Sequence, residues 1–187
     1  MAMISTSDFR NGMTLNLDDG LFNLVEFQHV KPGKGGAFVR TKLRNVRTGN
    51  VLERTFNAGV RVEQAIVDRQ DMQFLYRDGD DYVFMNTSTY DQLSVAPAAL
   101  GSVADYLVEG AVAQIAQHQG QIIGVEISAS AELTVAQTEP GVQGDRVSGA
   151  RKPARLETGK TVQVPLFVNV GDKLRVDTRS GEYITRV

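Results

Sequence analysis

The residues best placed to do chemistry lie in one stretch, His29-Val30-Lys31-Pro32-Gly33-Lys34-Gly35-Gly36-Ala37-Phe38. Lys34 stands between glycines, so neither neighbour adds bulk, and the loop can enter a space too narrow for a thicker one. What a lone lysine offers there is a positive charge and three hydrogen-bond donors. From Phe27 to Leu52 the chain carries Lys31, Lys34, Arg40, Lys42, Arg44 and Arg47 and no Asp or Glu. A cationic run of that kind suits an anionic partner, and phosphate backbones are the commonest one; the plainer reading is a solvated surface hairpin. The loop is not a phosphate-binding P-loop, because Gly35 follows Lys34 where that motif needs Ser or Thr for magnesium.

Other chemistries find little support. Only His29 and His118 occur and there is no Cys, which excludes disulfides, His-rich metal sites and thiolate zinc sites. The acidic cluster Asp78, Asp80 and Asp81 lacks the spacing and the closing Glu of a calcium loop, and reads as a solvated turn. His118, in Gln117-His118-Gln119-Gly120, reads as part of a polar turn. His29 either ends a strand or lies close to RNA. No G-x-S-x-G, H-E-x-x-H or G-x-G-x-x-G motif occurs. No catalytic residue, metal or cofactor is expected.

The elements around the tip follow from periodicity. Apolar residues from Leu21 to Phe27 lead into it, and Ala37 to Val46 lead out. On the outgoing strand Phe38, Arg40, Lys42 and Arg44 share one face, and Val39, Thr41 and Leu43 the other. One face is cationic and the other can pack. Residues 4–64 read as five or so short strands with turns at Asp18-Asp19-Gly20 and Arg47-Thr48-Gly49-Asn50, which suggests a small barrel.

A second set of strands starts near Ala65, at Ile66-Val67-Asp68, and continues with residues 72–76 and 82–85 about the turn Asp78 to Asp81. Leu100, Val103, Ala104 and Leu107 predict a helix over residues 98–107, with Pro97 before it and Gly110 just beyond. Strands return at 111–116 and 122–127. Strands, one short helix and more strands is the order of an OB-fold barrel. The third set runs from Ser128: strands at 131–137, at 161–168 with Pro165 marking an edge or a bulge, at 173–178 and at 182–187. The glycine-rich stretch from Gly141 to Gly149 predicts a mobile loop. The expected domains are therefore residues 1–64, 65–127 and 128–187, in an all-β chain of three small barrels in tandem.

Charge follows the same division. The 187 residues have a net charge of −2. Residues 1–64 hold nine Lys+Arg against six Asp+Glu, residues 65–127 two against nine, and residues 128–187 nine against seven. Two basic ends flank an acidic middle, which suits a molecule that touches nucleic acid at both ends. No apolar run is long enough to cross a membrane, and the first nine residues carry no secretory pattern, so a cytoplasmic protein is expected.

Three segments carry a resemblance to a known family. They are Lys31-Pro32-Gly33-Lys34-Gly35 with Ala37-Phe38; Pro140-Gly141-Val142-Gln143-Gly144-Asp145-Arg146; and the run from Lys152-Pro153-Ala154-Arg155-Leu156-Glu157-Thr158-Gly159 through Val162-Gln163-Val164-Pro165-Leu166-Phe167, Gly171-Asp172, Val176-Asp177-Thr178-Arg179 and Gly181-Glu182-Tyr183. Along essentially its whole length the chain resembles bacterial elongation factor P, a family homologous to the hypusine-containing translation factor 5A of eukaryotes and archaea. The resemblance implies an SH3-like, KOW-type barrel followed by two OB-fold barrels, arranged like the letter L.

It also implies a monomeric factor that binds the 70S ribosome beside peptidyl-tRNA and relieves stalling at consecutive prolines. Lys34 would be the tip residue reaching the peptidyl-transferase centre, and a substrate for a lysine-modifying enzyme in those members that carry an extended lysine. Lys31, Pro32, Gly33, Gly35, Arg40, Lys42 and Arg44 would contact the acceptor arm of the tRNA or ribosomal RNA. Gly144, Asp145 and Arg146, with Tyr183 and Arg186, would face the small subunit and mRNA. Arg146 departs from the family's frequent Thr. The rival reading is a single-stranded nucleic-acid binder that stacks bases on Phe74, Tyr76, Tyr82 and Phe84 of the middle barrel.

Overall fold

The computed structural model describes residues 2–141 and 149–187. They form three curled antiparallel sheets and little helix. The first sheet is built from β1 (Ala2–Ser5), β2 (Thr14–Leu17), β3 (Gly20–Val30), β4 (Phe38–Asn45), β5 (Val51–Asn57) and β6 (Arg61–Gln64), in the order β1-β6-β2-β3-β4-β5. The second holds β7 (Asp68–Asp78), β8 (Asp81–Asn86), β9 (Gln92–Val95), β10 (Val112–His118) and β11 (Gln121–Ile127), in the order β11-β10-β7-β8-β9. The third holds β12 (Ser130–Thr138), β13 (Arg151–Leu156), β14 (Thr161–Pro165), β15 (Lys173–Asp177) and β16 (Tyr183–Arg186), in the order β14-β13-β12-β15-β16.

Each sheet curls over its own apolar face. In the first, Phe9, Leu15, Phe22, Leu24, Val39, Leu43 and Val62 form the core. Phe9 meets Phe27 and Phe56 edge to face, with ring centroids 6.3 and 5.8 Å apart. Burying one such side chain contributes roughly 1.5–3 kcal/mol. In the third, Leu133, Val135, Leu156, Val164, Leu174 and Val176 do the same, and Tyr106 joins them from the segment before β10.

Packing divides the chain into two compact units, Met1–Arg69 with Ala116–Gly124, and Gln70–Ile115 with Val125–Val187. The tip of the β10–β11 hairpin thus belongs with the N-terminal unit. There His118 ends β10, and its Nδ1–H donates to the Ile66 carbonyl at 2.8 Å. Residues 117–120 and Glu63, Gln64, Ile66 and Asp68 line a cleft of about 320 Å³.

Four expectations need correction. Ile66 and Val67 are not a strand: residues 65–67 connect β6 to β7, with Ile66 exposed. The helix is shorter than its spacing suggests. The α-helix α1 covers only Pro97–Leu100, and a 3-10 segment follows over Gly101–Tyr106. Gly101 sits at φ +53°, which ends the α-helical ladder while Leu100 and Leu107 still reach the core. The strand expected over 161–168 stops at Pro165, on the edge strand β14. Three strands were not foreseen: β1, the short β9, and β13.

The last of these was hidden by chemistry. In β13 Lys152, Ala154 and Leu156 point inward, and Lys152 is only 6% exposed. A lysine at an inward position breaks the alternation that reveals a strand. Its ammonium donates to the Glu139 carbonyl at 2.6 Å, which satisfies the buried charge in part. Lys152→Ala is expected to lower stability by about 1.5–3 kcal/mol, the cost of losing a hydrogen bond from a charged group. Urea unfolding of the two proteins side by side measures it, and an unchanged midpoint would show the bond to be idle.

Candidate nucleic-acid interface

The interface is built on the β3–β4 hairpin. β3 and β4 pair from Phe22↔Asn45 to Val30↔Phe38, so the connection spans residues 31–37. Residues 31–36 are all exposed. Gly35 takes φ +110°, a conformation that L side chains rarely adopt. Gly33 and Gly36 do not: neither has a positive φ, and a Cβ built on either meets nothing within 4 Å. Nothing in the free chain requires glycine at 33 or 36.

The stem separates packing from charge. Val39, Thr41 and Leu43 are buried, and Arg40, Lys42 and Arg44 are exposed on the opposite face. Thr41 is held inside because its hydroxyl donates to the Arg54 carbonyl on β5 at 2.7 Å. Arg54 in turn reaches Asp19, with its two terminal nitrogens 3.2 and 2.8 Å from the carboxylate oxygens.

β3 is bulged between Leu24 and Glu26. Phe22 and Leu24 face the core before the bulge, Val25 is exposed, and Phe27 is turned inward after it. An extra residue in one strand shifts the alternation by one. The shift carries Glu26 and Gln28 onto the cationic face, opposite Lys42 and Arg40. Glu26 pairs with Lys42 at 3.3 Å, and Glu53 lies across Lys42 on β5. The face is therefore not uniformly basic. An exposed pair of this kind is worth about 0–1 kcal/mol, so it is readily exchanged. Arg40 and Arg44 face Gln28 and Asn23 on β3 and Thr55 and Val51 on β5. Among the described residues Lys31, Lys34, Arg40 and Arg44 form no ion pair. His29 ends near the top of β3, where its ring meets Phe27 edge to face at 5.6 Å.

The other described candidates, Tyr183 and Arg186, belong to the second unit. Tyr183 is half-buried against the third core. Arg186 is on β16, with its guanidinium 3.4 Å from Asp172 and 5.2 Å from the ring centre of Phe167. Gly144, Asp145 and Arg146, and the loop expected around them, lie outside the described residues. Sequence reasoning missed Glu26 on the cationic face, since only the bulge puts it there. It also missed Phe167, although three apolar residues after Pro165 cannot all face inward in one strand.

The aromatic platform of the rival reading is not free. Phe74 and Phe84 are core residues. Tyr82 packs on Phe74 at 5.6 Å and carries the Arg77 guanidinium at 4.8 Å, which leaves Tyr76 as the exposed ring. Asp78 and Asp81 close the β7–β8 turn, and Asp81 accepts from the Ser94 hydroxyl at 3.1 Å. Among the described residues no three acidic or imidazole side chains converge as metal ligands, and no helix is long and apolar enough to cross a membrane.

Comparison with known proteins follows the same three sheets. Residues 5–62 match the family model described as the elongation factor P KOW-like domain, residues 67–125 the elongation factor P OB domain, and residues 131–186 the elongation factor P C-terminal domain. The elongation factor P of Frankia casuarinae is 58% identical over 185 residues, covering 99% of both chains. That of Acidothermus cellulolyticus is 58% identical over 184 residues, covering 98% of each, and that of Streptomyces coelicolor 57% over 186, covering 99% of each. Among solved structures, the translation initiation factor 5A of Methanococcus jannaschii superposes with a TM-score of 0.53 at 24% identity, covering 66% of this chain and 93% of its own. A 5A-family protein of Naegleria fowleri gives 0.53 at 15% identity, covering 67% and 98%. At those identities the likeness is one of fold.

Proposed function

The chain belongs to the elongation factor P family, a translation elongation factor and not an enzyme, and from that premise we propose that it binds the ribosome beside peptidyl-tRNA and speeds peptide-bond formation at consecutive prolines. The observation that carries this reading is the tip. Lys34 is exposed on a loop whose Gly33 and Gly36 answer to no need inside the chain.

Proline is a poor substrate for peptide transfer because its ring fixes φ. A nascent Pro-Pro segment sits out of line for attack. Correct placement of reactants can be worth ~7–11 kcal/mol, so a factor that holds the tRNA end in the productive pose restores rate with no proton of its own to give. Lys34 does this by charge and hydrogen bonding at the end of the tRNA. Lys31, Pro32, Gly33 and Gly35 shape the loop around it. Arg40 and Arg44, which have no ion pair among the described residues, take backbone phosphates, and Lys42 does so by giving up Glu26. Gly144, Asp145 and Arg146, with Tyr183 and Arg186, face the small subunit and mRNA. The protein works as a cytoplasmic monomer in three domains with boundaries near residues 64 and 128, and a lysine-modifying enzyme is a second partner if Lys34 is extended. The intact mass of the protein from its native host answers that last point.

The test uses ribosomes stalled in synthesis of a Pro-Pro-Pro peptide. Adding the protein is expected to raise the single-turnover rate at least tenfold, roughly 1.4 kcal/mol of barrier. Cosedimentation with ribosomes but no change in rate would refute the reading. Arg40→Ala combined with Arg44→Ala is expected to weaken ribosome binding and to flatten its salt dependence by about two units of log–log slope, roughly one per lost phosphate contact. An unchanged slope would remove these arginines from the interface.

A further inference from the structure

Phe167 is a large apolar side chain with no apolar place to go. It is 56% exposed. The backbone forces this: β14 ends at Pro165, the Val168 amide donates back to the Pro165 carbonyl at 3.2 Å, and Val168 itself is fully buried. Once Val168 is anchored, the residue before it is thrown outward. Val170 and Val187, which follow Phe167 in the chain, are also exposed.

Beside the ring stands Arg186, with its guanidinium carbon 5.2 Å from the ring centre. Asp172 lies 3.4 Å from the guanidinium, an exposed pair that favours this placement only weakly. Asp172 is fixed in turn, since its Oδ2 accepts the Asn169 amide at 2.9 Å. That hydrogen bond, with Arg186 beside it, holds the carboxyl below the usual range, so it stays ionised further into acid than an ordinary aspartate. The result is an exposed aromatic ring with a planar cation against it, in a segment that carries a net charge of +2.

We propose that Phe167, braced by Arg186, is a stacking platform for an unpaired RNA base. Stacking on an aromatic ring tolerates any base, because every base presents a π face. The adjacent guanidinium adds a second planar surface. Because Arg186 already has Asp172 as a counter-charge, the platform works chiefly through stacking, and its net charge adds less to the attraction for phosphate than an unpaired arginine does. This sets it apart from Arg40 and Arg44, whose contribution is charge. The inference rests on the reading that the protein works on the ribosome, where unpaired RNA is at hand.

The chain has no tryptophan. Phe167→Trp therefore creates a single tryptophan at the platform, excited selectively at a wavelength where the five tyrosines do not absorb, on an exposed turn that tolerates the larger ring. It is titrated with single-stranded hexa-adenylate, with a duplex RNA, and with ribosomes whose binding is followed in parallel by sedimentation. The expected result is quenching by the single strand and by bound ribosomes, and none by the duplex. Phe167→Ala is expected to weaken binding of labelled hexa-adenylate roughly tenfold, about the loss of one base stack, with an unchanged salt slope. Quenching by hexa-adenylate from a protein that does not sediment with ribosomes would uphold the platform and refute the ribosome reading. Sedimentation with ribosomes but no quenching in either arm would overturn the platform. So would a blue shift without quenching on ribosomes, which would mark burial against an apolar protein surface.

Discussion

Lys34→Ala is expected to fold as the parent does, to bind ribosomes nearly as well, and to lose most of the acceleration of Pro-Pro-Pro synthesis. The fold is indifferent because Lys34 is exposed and has no ion pair among the described residues. Such surface substitutions usually stay within ~0.5 kcal/mol. Binding is largely kept because Lys31, Arg40, Lys42, Arg44 and Arg47 remain between Phe27 and Leu52. The rate is expected to fall because, in the function proposed above, only the tip reaches the reacting end of the tRNA. A loss of tenfold or more in the single-turnover rate, with sedimentation unchanged, is the expected signature. Lys34→Arg keeps the charge but alters shape and donor geometry and cannot carry a lysine modification. It is expected to restore only part of the rate. Full activity of Lys34→Ala would leave the stem as the working surface.

Tyr106→Ala is expected to have the largest effect on stability. Tyr106 belongs to the 3-10 segment before β10, yet its ring is buried among Leu133, Val135, Leu156 and Val176 of the third sheet. The link is reinforced on both sides. The Thr158 hydroxyl donates to the Asp105 carbonyl at 2.6 Å, and Lys160 pairs with the Asp105 carboxylate at 3.2 Å while its ammonium stands 5.8 Å from the Tyr106 ring centre. Removing a buried aromatic ring costs about 3–5 kcal/mol. Because the ring joins two sheets within one compact unit, the loss also uncouples them. Calorimetry is expected to show a lower and broader transition, with the second and third sheets melting separately. Tyr106→Phe, which keeps the ring, is expected to cost far less. A loss under 1 kcal/mol for Tyr106→Ala would mean that the two sheets are held by other contacts.

What the sequence showed depended on how local each cause was. β4 was legible because Val39, Thr41 and Leu43 alternate with Arg40, Lys42 and Arg44. The tip was legible because Pro32 and three glycines mark a turn by chemistry alone. The bulge at Val25 was not, since an extra residue on one strand is defined only against its partner. The charge face was accordingly read as wholly basic, and Glu26 went unseen. β13 was masked by Lys152 and Pro153, neither of which announces a strand. The helix was overestimated because apolar spacing cannot register Gly101 at positive φ. The contact of His118 with Ile66 joins residues 52 apart, and no periodicity spans that distance.

That contact bears on when the protein can be made whole. The six strands of the first sheet end at Gln64, so the sheet can form as soon as that length of chain has left the ribosome. The unit it belongs to is finished only by Ala116–Gly124. At synthesis rates of about 5–20 residues per second, the roughly 55 residues from Arg69 to Gly124 take on the order of 3–11 s. During that interval the surface around Ile66 waits for a hairpin that has not yet been translated. A nascent chain halted before Gly124 would hold a complete sheet whose Ile66 carbonyl still lacks His118, and limited proteolysis at residues 65–67 is expected to cut it faster than the finished chain, in which that segment is tied to the hairpin although the Ile66 side chain stays exposed.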